Sequence, residues 1–268
     1  CNHNGIEDAV DVADGFSEDC NRDDVPDECE EEPEVFFVTR ERLLVCTEPD
    51  GFPGRLVAAA LDVAGHEDLV VVCAGGGDLN FLWNQGDGGF EPVKFLPIGF
   101  AAYWLLAEDF DGDGDPDLAV VNDGATLPPV RDGGRANRMD LYRNEGGRRF
   151  ELAGTFDAGT LAYVGSAGDI DGDGDVDIVL NGGDDASALQ FFSTHLSVLL
   201  NRGNGTFEAP IRLEAGETPR LPHLVDVNND GLVDIVTVLW RGGGVSVLLN
   251  RGGLEFGELK IFEAGPGP

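Results

Sequence analysis

An internal repeat constrains the fold of this chain more than any other feature of the sequence. One phrase occurs three times, as DFDGDGDPDLAVVN from Asp109, DIDGDGDVDIVLNG from Asp169 and DVNNDGLVDIVTVL from Asp226, at intervals of 60 and 57 residues. A second phrase lies between the copies, and its four phenylalanines are 60, 57 and 49 residues apart. Because two independent phrases keep a common period, the chain is predicted to consist of tandem structural units.

Each unit is predicted to contain about four short strands. In the second unit these strands cover residues 103–108, 118–122, 138–144 and 150–156, with Gly, Asp, Asn and Pro between them, as turns require. The apolar stretches are β-branched and too short for helices, and the repeat region has no sustained 3.6-residue period. A four-stranded antiparallel unit repeated at this interval is typical of a β-propeller blade. A β-sandwich with coincidental turns is the alternative.

Four units are visible, beginning near residues 54, 101, 161 and 218. Before them, residues 34–39 and 43–47 are predicted to form a hairpin, which is half a blade. The predicted fold class is therefore all-β, with a propeller of about four full blades and a half blade over residues 34–268. The half blade either completes a closing blade at the other end of the chain or belongs to a fifth, and the sequence leaves open whether the ring closes within one chain.

The acidic loops of the repeat have the spacing D-x-D-x-D-G-x-x-D, which is suited to calcium. Carboxylates at positions one, three, five and nine, with a carbonyl at position seven, surround one point, and glycine at position six permits the sharp turn. Only hard oxygen donors are present, which favours calcium over zinc or copper. Solvated acidic turns are the alternative, but such crowded carboxylates repel one another unless a cation neutralises them. The predicted ligands are Asp109, Asp111, Asp113, Asp115 (carbonyl) and Asp117; Asp169, Asp171, Asp173, Asp175 (carbonyl) and Asp177; and Asp226, Asn228, Asp230, Leu232 (carbonyl) and Asp234.

These loops differ from EF-hands, in which a bidentate glutamate at position twelve leads into a helix. Here position twelve falls on Val120, Leu180 and Thr237, inside predicted strands. In the first unit, residues 62–68 look like a loop two residues shorter than the others and without the middle acidic residues. We expect this loop to hold no metal, and we expect His66 to be an exposed turn residue.

The acidic loop, the apolar strand after it and the phrase N-x-G-x-G-x-F together resemble the FG-GAP (VCBS-type) repeats of integrin alpha-subunit propellers and of many secreted bacterial proteins. The resemblance covers about residues 34–264. It implies a propeller whose loops bind calcium on one face of the ring. Repeats of this kind commonly number seven, a count that this chain does not reach.

The N-terminal segment, residues 1–33, is predicted to be a separate calcium-loop module. Residues 1–34 contain 14 acidic residues and one arginine, and a disordered acidic tail is the alternative. Two loops fit the twelve-residue calcium pattern, the first of them without its position one. They resemble dockerin or thrombospondin type 3 calcium repeats. The predicted ligands are Asp19, Asn21, Asp23, Val25 (carbonyl), Asp27 and Glu30 in one loop, and Asn2, Asn4, Ile6 (carbonyl), Asp8 and Asp11 in the other.

The five cysteines contain no C-x-x-C pair, which argues against a zinc or thioredoxin-like site. Cys20 and Cys29 lie at loop positions two and eleven, where a disulfide across the loop is expected. Cys46 and Cys73 are expected to pair if their strands are neighbours. Disulfides and several calcium sites of extracellular affinity both indicate a secreted or cell-surface protein. The chain has no initiator Met and no signal-like segment, so we expect a processed or partial product.

Composition narrows the function. With 51 acidic and 17 basic residues the formal charge is −34, which opposes nucleic-acid binding, and no apolar run is long enough to span a bilayer. No nucleophile motif occurs and the four histidines are scattered, so catalysis is not expected. We expect adhesion, recognition of a protein or glycan at the cell surface, or extracellular structural assembly as a homo-oligomer or filament. A lyase-like polysaccharide enzyme or a glycan-binding lectin on the same propeller is the alternative.

Overall fold

The structure is a computed structural model, which describes residues 45–46, 52–74, 77–91, 94–98, 102–122, 136–160, 162–182 and 193–265. Over these residues it contains sixteen β-strands and no helix, which confirms the all-β prediction. No helix that is long and apolar enough to cross a membrane occurs in this described part of the chain.

The strands form four antiparallel sheets, each with four strands in chain order. Blade one contains β1 (Phe52–Ala59), β2 (Asp68–Ala74), β3 (Asp78–Leu82) and β4 (Lys94–Pro97). Blade two contains β5 (Ala102–Glu108), β6 (Asp117–Asn122), β7 (Ala136–Asn144) and β8 (Phe150–Thr160). Blade three contains β9 (Gly165–Gly168), β10 (Asp177–Asn181), β11 (His195–Leu199) and β12 (Ile211–Glu214). Blade four contains β13 (Pro219–Val225), β14 (Asp234–Leu239), β15 (Gly244–Leu248) and β16 (Lys260–Glu263). The prediction of four-stranded propeller blades is therefore confirmed.

Each blade packs face to face on the next one along the chain. One apolar cluster joins blades one and two, a second joins blades two and three, and a third joins blades three and four. The extensive contacts between sheets follow the same order, from β1 to β5, from β5 to β9 and from β9 to β13. The core of the protein is thus divided into layers between neighbouring blades.

The second strand of each blade reflects this layering. Every residue of β6 and of β10 is buried, because these strands lie between two other blades and have apolar side chains on both faces. In β14, Val236 is half-buried and Val238 is exposed, because one face of blade four packs on blade three and the other faces solvent. The place of a blade in the series therefore determines whether one or both faces of its second strand are buried by neighbouring blades.

A disulfide joins Cys46 to Cys73 of β2, with the two Cα atoms 5.7 Å apart. This pairing confirms the prediction from sequence. Apart from Val45 and Cys46, the predicted half blade lies outside the described residues, as do the boundary at residues 33 and 34 and the remaining cysteines.

Candidate metal centres

A buried aspartate opens the second strand of every blade and organises the loop before it. In blade three, Asp177 Oδ2 accepts the N–H of Ile170 at 3.1 Å, and its Oδ1 accepts the N–H of Asn201 at 2.8 Å. Asp68 and Asp234 make the corresponding pairs of bonds in blades one and four. This carboxylate, at loop position nine, therefore links the acidic loop to the turn that follows the third strand.

In blades two, three and four, an asparagine in that turn links the blade to the one before it. Asn201 Nδ2 donates to the carbonyl of Phe110 in blade two at 2.7 Å and to Val176 in its own blade at 3.1 Å. Asn250 makes the same pair of bonds to Ile170 and Val233. Equivalent bonds run from Asn144 to Leu61 and Pro116. The acidic loop of one blade thus rests on the turn of the next.

Two of the predicted metal loops bring carboxylates together. Asp109, Asp111 and Asp117 each offer an oxygen, and all three oxygens lie within 4.8 Å of one another. Asp169, Asp171 and Asp177 form the same arrangement in blade three. Two oxygens bound to one calcium at about 2.3–2.6 Å lie at most about 5 Å apart, so both groups have the spacing that one shared calcium requires.

One atom of the first group is left without a normal partner. Asp117 Oδ2 is buried, and the N–H of Phe110, the counterpart of the Ile170 donor in blade three, approaches it without the geometry of an ordinary hydrogen bond. Its neighbours in the loop are also carboxylates, which raise the cost of burying this negative oxygen. A hard divalent cation bound between Asp109, Asp111 and Asp117 would satisfy that oxygen and neutralise the repulsion, so these residues fit calcium.

Backbone geometry supports the assignment of loop positions. Gly114, Gly174 and Gly231, at position six, have φ values of +95°, +98° and +87°. These values lie in the left-handed region that favours glycine, which is the role predicted for this position. The carboxylates at position five, Asp113 and Asp173, each accept the N–H of position seven at 2.9 Å and are not members of the two converging groups. Position seven is Asp115 in blade two and Asp175 in blade three.

The fourth predicted loop is arranged differently. Asn228 Nδ2 donates to Asp230 Oδ2 at 2.8 Å, and Asp226 accepts the N–H of Gly231 at 2.9 Å. That bond is the main reason why the pKa of Asp226 is lowered, and Gly114 and Gly174 make the same bond to Asp109 and Asp169. The fourth loop differs in having the neutral Asn228 at position three, where the other two have aspartate. The carboxylates of this loop, Asp234 among them, do not form a third converging group within the described residues. Position seven of this loop is Leu232. Blade four is therefore expected to bind calcium more weakly than blades two and three.

Burial and mutual repulsion affect the titration of the converging groups. Burial, together with the nearby charges of Asp111 and Asp113, raises the pKa of Asp117 to about 6 against the opposing effect of the backbone N–H groups of Asn144 and Phe110. Burial likewise raises the pKa of Asp177 to about 6. The pKa of Asp171 is raised by burial and by its acidic neighbours. Without a cation, both loops therefore favour partial protonation.

Comparison with known families agrees with this geometry. A family model described as an FG-GAP-like repeat matches residues 61–120, 109–180 and 169–237, which together make up more than half of the chain. The chain belongs to the FG-GAP-like repeat family. Each match begins in or just before one blade's loop and ends in the second strand of the next blade, so the family unit spans the contact between neighbouring blades.

Solved structures are similar to this FG-GAP-like protein. One is a lectin of Agrocybe aegerita, described as recognising non-reducing terminal N-acetylglucosamine, with 22% identity and a TM-score of 0.53 over 76% of this chain and 50% of the lectin. Another is the Tc holotoxin pore of Photorhabdus luminescens, with 17% identity and a TM-score of 0.42 over 76% of this chain and 10% of the toxin. The chain thus spans half the length of the lectin. No curated protein matches the chain.

The first FG-GAP-like loop corrects one expectation from sequence. Because Asp68 accepts the N–H groups of Leu61 and Asn84, it holds position nine, and the loop has the same length as the others rather than two residues fewer. Asp62 is therefore at position three. Arg148, from the turn of blade two, donates to Asp62 at 2.8 Å and pairs with Glu91. Burial acts to raise the pKa of Asp62, but the hydrogen bonds from Ala64 and Arg148 and the arginine charge outweigh it and lower the pKa.

The absence of calcium from this first loop stays a prediction, with a clearer physical basis. Positions one and five are Ala60 and Ala64, which offer no carboxylate, and the guanidinium of Arg148 already neutralises Asp62. His66 is exposed, as expected. The two N-terminal loops predicted to bind calcium lie outside the described residues.

Arg143 affects the FG-GAP-like loop of blade two in a way that blade three does not repeat. Its Nε lies 2.5 Å from Asp111 Oδ2, and the equivalent residue in blade three is Leu200. A cation bound by Asp111 must compete with this guanidinium. We expect Arg143→Leu to strengthen calcium binding at blade two about two- to fivefold, since partly exposed ion pairs contribute up to about 1 kcal/mol. Calorimetric titration checks this, and a weaker blade-two site in the variant would contradict it.

The raised pKa values predict a pH dependence that calcium should abolish. In the unfolded chain these aspartates titrate near 3.8, whereas Asp117 and Asp177 titrate near 6 in the metal-free fold. The protonated form is therefore favoured by folding. This stabilisation is complete below the unfolded value and is lost as the pH rises through about 6. In EDTA, we expect the unfolding midpoint to fall as the pH rises from about 4 to about 7.

With calcium bound, the same carboxylates must be ionised, so binding displaces protons below pH 6. Calcium affinity at each loop should then fall about tenfold for each pH unit below that value and be level above about pH 7. Calcium titrations across this range measure the effect. General repulsion among acidic residues would give a similar pH trend with and without calcium, and that result would contradict a role for Asp117 and Asp177.

Sequence reasoning identified the loops but missed the partners that hold them. The asparagine of N-x-G-x-G-x-F was recognised as part of a repeat, yet its bond to the preceding blade was not. The available signal was its constant place, three residues after an apolar residue that faces the next blade. The arginines at 143 and 148 carry no repeat signal, so only the structure could reveal their contacts with the acidic loops.

Proposed function

We propose that this protein is a secreted, calcium-binding β-propeller that serves adhesion, recognition or structural assembly outside the cell and has no catalytic role. Two calcium ions bind in the loops of blades two and three, and a third binds more weakly in blade four. The ions hold the loops in the form on which the turn of the next blade rests. The natural surroundings are extracellular, where calcium is abundant and the Cys46–Cys73 disulfide persists.

The convergence of three carboxylate oxygens in each of two equivalent loops carries this proposal. Five aspartates lie within nine residues of blade two and five more within nine residues of blade three, so each metal-free loop is highly charged. Such an arrangement is costly without a cation. Millimolar calcium provides one, and its affinity for oxygen ligands matches the donor set.

Removing one carboxylate from each loop tests the proposal. Asp111 and Asp171 are suitable because each carboxylate accepts only one backbone bond within its loop, from position five. Asp111→Asn and Asp171→Asn should each lose one bound calcium in calorimetric titration or native mass spectrometry. Asp62→Asn is the matched control, since it changes position three of the loop that is predicted to hold no metal. Its calcium stoichiometry should equal that of the unchanged protein.

The opposite pattern would overturn the proposal. If the unchanged protein bound no calcium at millimolar concentration, or if both variants kept its stoichiometry, the loops would be acidic turns without a metal role. Loss of calcium in Asp62→Asn would mean that the first loop, rather than the converging groups, binds the ion.

A second candidate function is glycan binding, and a cleft between blades one and two favours it. The cleft has a volume of about 210 Å³ and is lined by Phe81, Trp83, Phe95, Arg148 and Phe150, among others. Phe81 stacks on Trp83 and on Phe150, with ring centroids 5.3 Å and 5.0 Å apart. Phe81 and Trp83 are buried, so Phe95 is the aromatic side chain of this cleft that a ligand would reach. An exposed ring at the mouth of an aromatic cleft suits the C–H face of a sugar.

A glycan array separates this candidate from the first. Phe95 is 45% exposed, so Phe95→Ala should reduce binding without unfolding the protein. Leu152→Ala is the control, because Leu152 is similarly exposed on the outermost strand of blade two. Binding that is lost in the first variant and kept in the second would support a lectin. No glycan binding by the unchanged protein would leave adhesion to proteins or assembly as the function.

A further inference from the structure

The turn that follows β11, residues 201–207, lies between the two candidate metal loops, and we call it the shared turn. On one side it contacts the loop of blade two. The side-chain amide of Asn201 and the N–H of Gly205 both donate to the carbonyl of Phe110, at 2.7 Å and 2.9 Å. Phe110 lies at position two of that loop, between two members of the converging group. The shared turn is therefore bonded directly to the backbone of the blade-two metal loop.

On its other side the shared turn contacts the loop of blade three. The N–H of Asn201 donates to Oδ1 of Asp177, a member of the second converging group, at 2.8 Å. Its Nδ2 also donates to the carbonyl of Val176 at 3.1 Å. A Cβ atom added to Gly203 would lie 2.5 Å from Asp175 Oδ2, so the turn and the loop are in close contact. One residue, Asn201, thus has direct hydrogen bonds to both metal loops.

These contacts are buried. Asn201 is 4% exposed, and Phe110 and Asp177 are 0% exposed. The ring of Phe207, at the end of the shared turn, meets the ring of Phe110 edge to face, with the centroids 5.8 Å apart. Because a closely packed interior transmits a displacement to its neighbours, a shift of either loop changes the position of the shared turn and hence of the other loop.

Each of the other two turns that join blades has a converging group on one side only. The turn of blade two contacts the loop of blade one, where the guanidinium of Arg148 pairs with Asp62. The turn of blade four contacts the loop of its own blade, whose described carboxylates form no converging group. Within the described part of the chain, the shared turn is therefore the one place where a single turn lies between two converging groups.

We propose that calcium binding in blade two and calcium binding in blade three assist each other through the shared turn. This coupling rests on the proposed function, since it requires both loops to bind the ion. The first ion orders its own loop and so fixes the position of the shared turn. The second loop then meets a turn that is already in place and loses less conformational freedom when it binds. Asn201 is the positioning residue of this coupling because it is bonded to both loops.

Repulsion between the two ions acts in the opposite direction. An ion in one loop makes the surroundings of the other loop less negative, which weakens binding of the second ion. Salt at about 0.15 M screens exposed charges over about 8 Å, so the ordering effect is best measured at that ionic strength. We expect the ordering effect to exceed the repulsion and to give a coupling of about fivefold, near the lower end of typical values.

Two glycine amides make it possible to follow each loop separately. The N–H groups of Gly114 and Gly174 donate to Asp109 and Asp169, which belong to the two converging groups. Their NMR resonances therefore report calcium in blade two and in blade three. Calcium titration of the full chain in 0.15 M salt gives the calcium concentration at which each loop is half occupied.

Removing either site should weaken the other. Asp111→Asn should raise the half-occupancy concentration of the blade-three loop about twofold if the sites have equal affinity, and up to about fivefold if the blade-two site is stronger. Asp171→Asn should raise that of the blade-two loop, and one coupling factor should describe both directions. Glu208→Gln is the charge control, because it removes an exposed carboxylate one residue beyond the shared turn and no metal ligand. It should change neither concentration.

Two further variants test the path of the coupling. Asn201→Ser removes the amide that reaches both loops, so adding Asp111→Asn should no longer affect the blade-three loop. Asn144→Ser removes the equivalent bonds from the turn of blade two. In that background, adding Asp111→Asn should still weaken the blade-three loop. If Asn201→Ser does not fold, the comparison in the unchanged background still decides whether the sites are coupled.

Several results would count against the coupling. Two loops that bind calcium but keep their half-occupancy concentrations in both single-site variants would reject the coupling and leave the proposed function intact. A lower concentration in either variant, or an equal rise in Glu208→Gln, would also reject it. Coupling that persists in Asn201→Ser, or is lost in Asn144→Ser, would reject Asn201 as the positioning residue. If neither glycine resonance responded to millimolar calcium in the unchanged protein, the proposed function would fail as well.

Discussion

Chelation of calcium is expected to lower the thermal unfolding midpoint of this protein by about 6–12 °C. If external calcium is about tenfold above the dissociation constant, each site adds about 1.4 kcal/mol to the free energy of unfolding. The two converging groups together then contribute about 3 kcal/mol, and for a domain of this size each kcal/mol corresponds to about 2–4 °C. Domains commonly have a total stability of about 5–15 kcal/mol, so this is a large fraction.

The loss should be traceable to the two loops. Calorimetry of the unchanged protein in excess calcium and in excess EDTA gives the shift. The double variant Asp111→Asn, Asp171→Asn should respond much less to EDTA, because it has little calcium to lose. Asp62→Asn should respond like the unchanged protein. An unfolding midpoint that does not move in excess EDTA would contradict a stabilising role for calcium.

Substitution of the asparagine that joins blades two and three is expected to destabilise the protein strongly. Asn201 is 4% exposed, and its amide donates to Phe110 and Val176 while its Oδ1 accepts the N–H groups of Arg202 and Gly203. Asn201→Ala removes all four bonds from a buried place. At about 1 kcal/mol for each bond, the free energy of unfolding should fall by about 3–4 kcal/mol.

Blade one supplies a matched control. Asn84 occupies the same position, but its Nδ2 donates to Glu67 of its own blade and its Oδ1 accepts the N–H of Gly86, in a more exposed setting. Asn84→Ala should cost only about 1 kcal/mol. Denaturant unfolding of both variants in saturating calcium measures the difference. Equal losses in the two variants would show that the bond between blades contributes little.

The fold of this protein could be predicted from its sequence because the relevant signals are local and repeated. Strand length, β-branched composition and turn residues identify β5 to β8 within a few residues of their observed ends. The repeat interval then implies blades. The pairing of Cys46 with Cys73 was predicted on the condition that their strands are neighbours, and the disulfide satisfies that condition. In each case the physical cause lies within a short segment or recurs at a fixed interval.

The metal loops could be predicted only in part. Spacing identified Asp109, Asp111 and Asp117 correctly as members of one group, because side chains at positions one, three and nine of a tight loop point to one centre. Asp113, which spacing also predicted, lies outside the converging group, so its role as a ligand stays a prediction. Spacing alone does not give the positions of the individual carboxylate oxygens, which depend on the hydrogen bonds within the loop.

The first loop shows why the remainder required the structure. The length of this loop was underestimated because position one is Ala60 instead of an aspartate, so the acidic pattern seemed to start at Asp62. Only the bonds of Asp68 reveal the true position. The positive charge beside Asp62 is the guanidinium of Arg148, which is 86 residues away in sequence. Contacts between blades of this kind depend on packing and leave no local signal.

The central claim is that calcium binds between the carboxylates of blades two and three. Crystallography of the protein grown with calcium, with anomalous diffraction data, tests it most directly. The account predicts one anomalous peak among Asp109, Asp111 and Asp117 and one among Asp169, Asp171 and Asp177, each about 2.3–2.6 Å from the ligand oxygens. Well-ordered loops without a peak at millimolar calcium would contradict it.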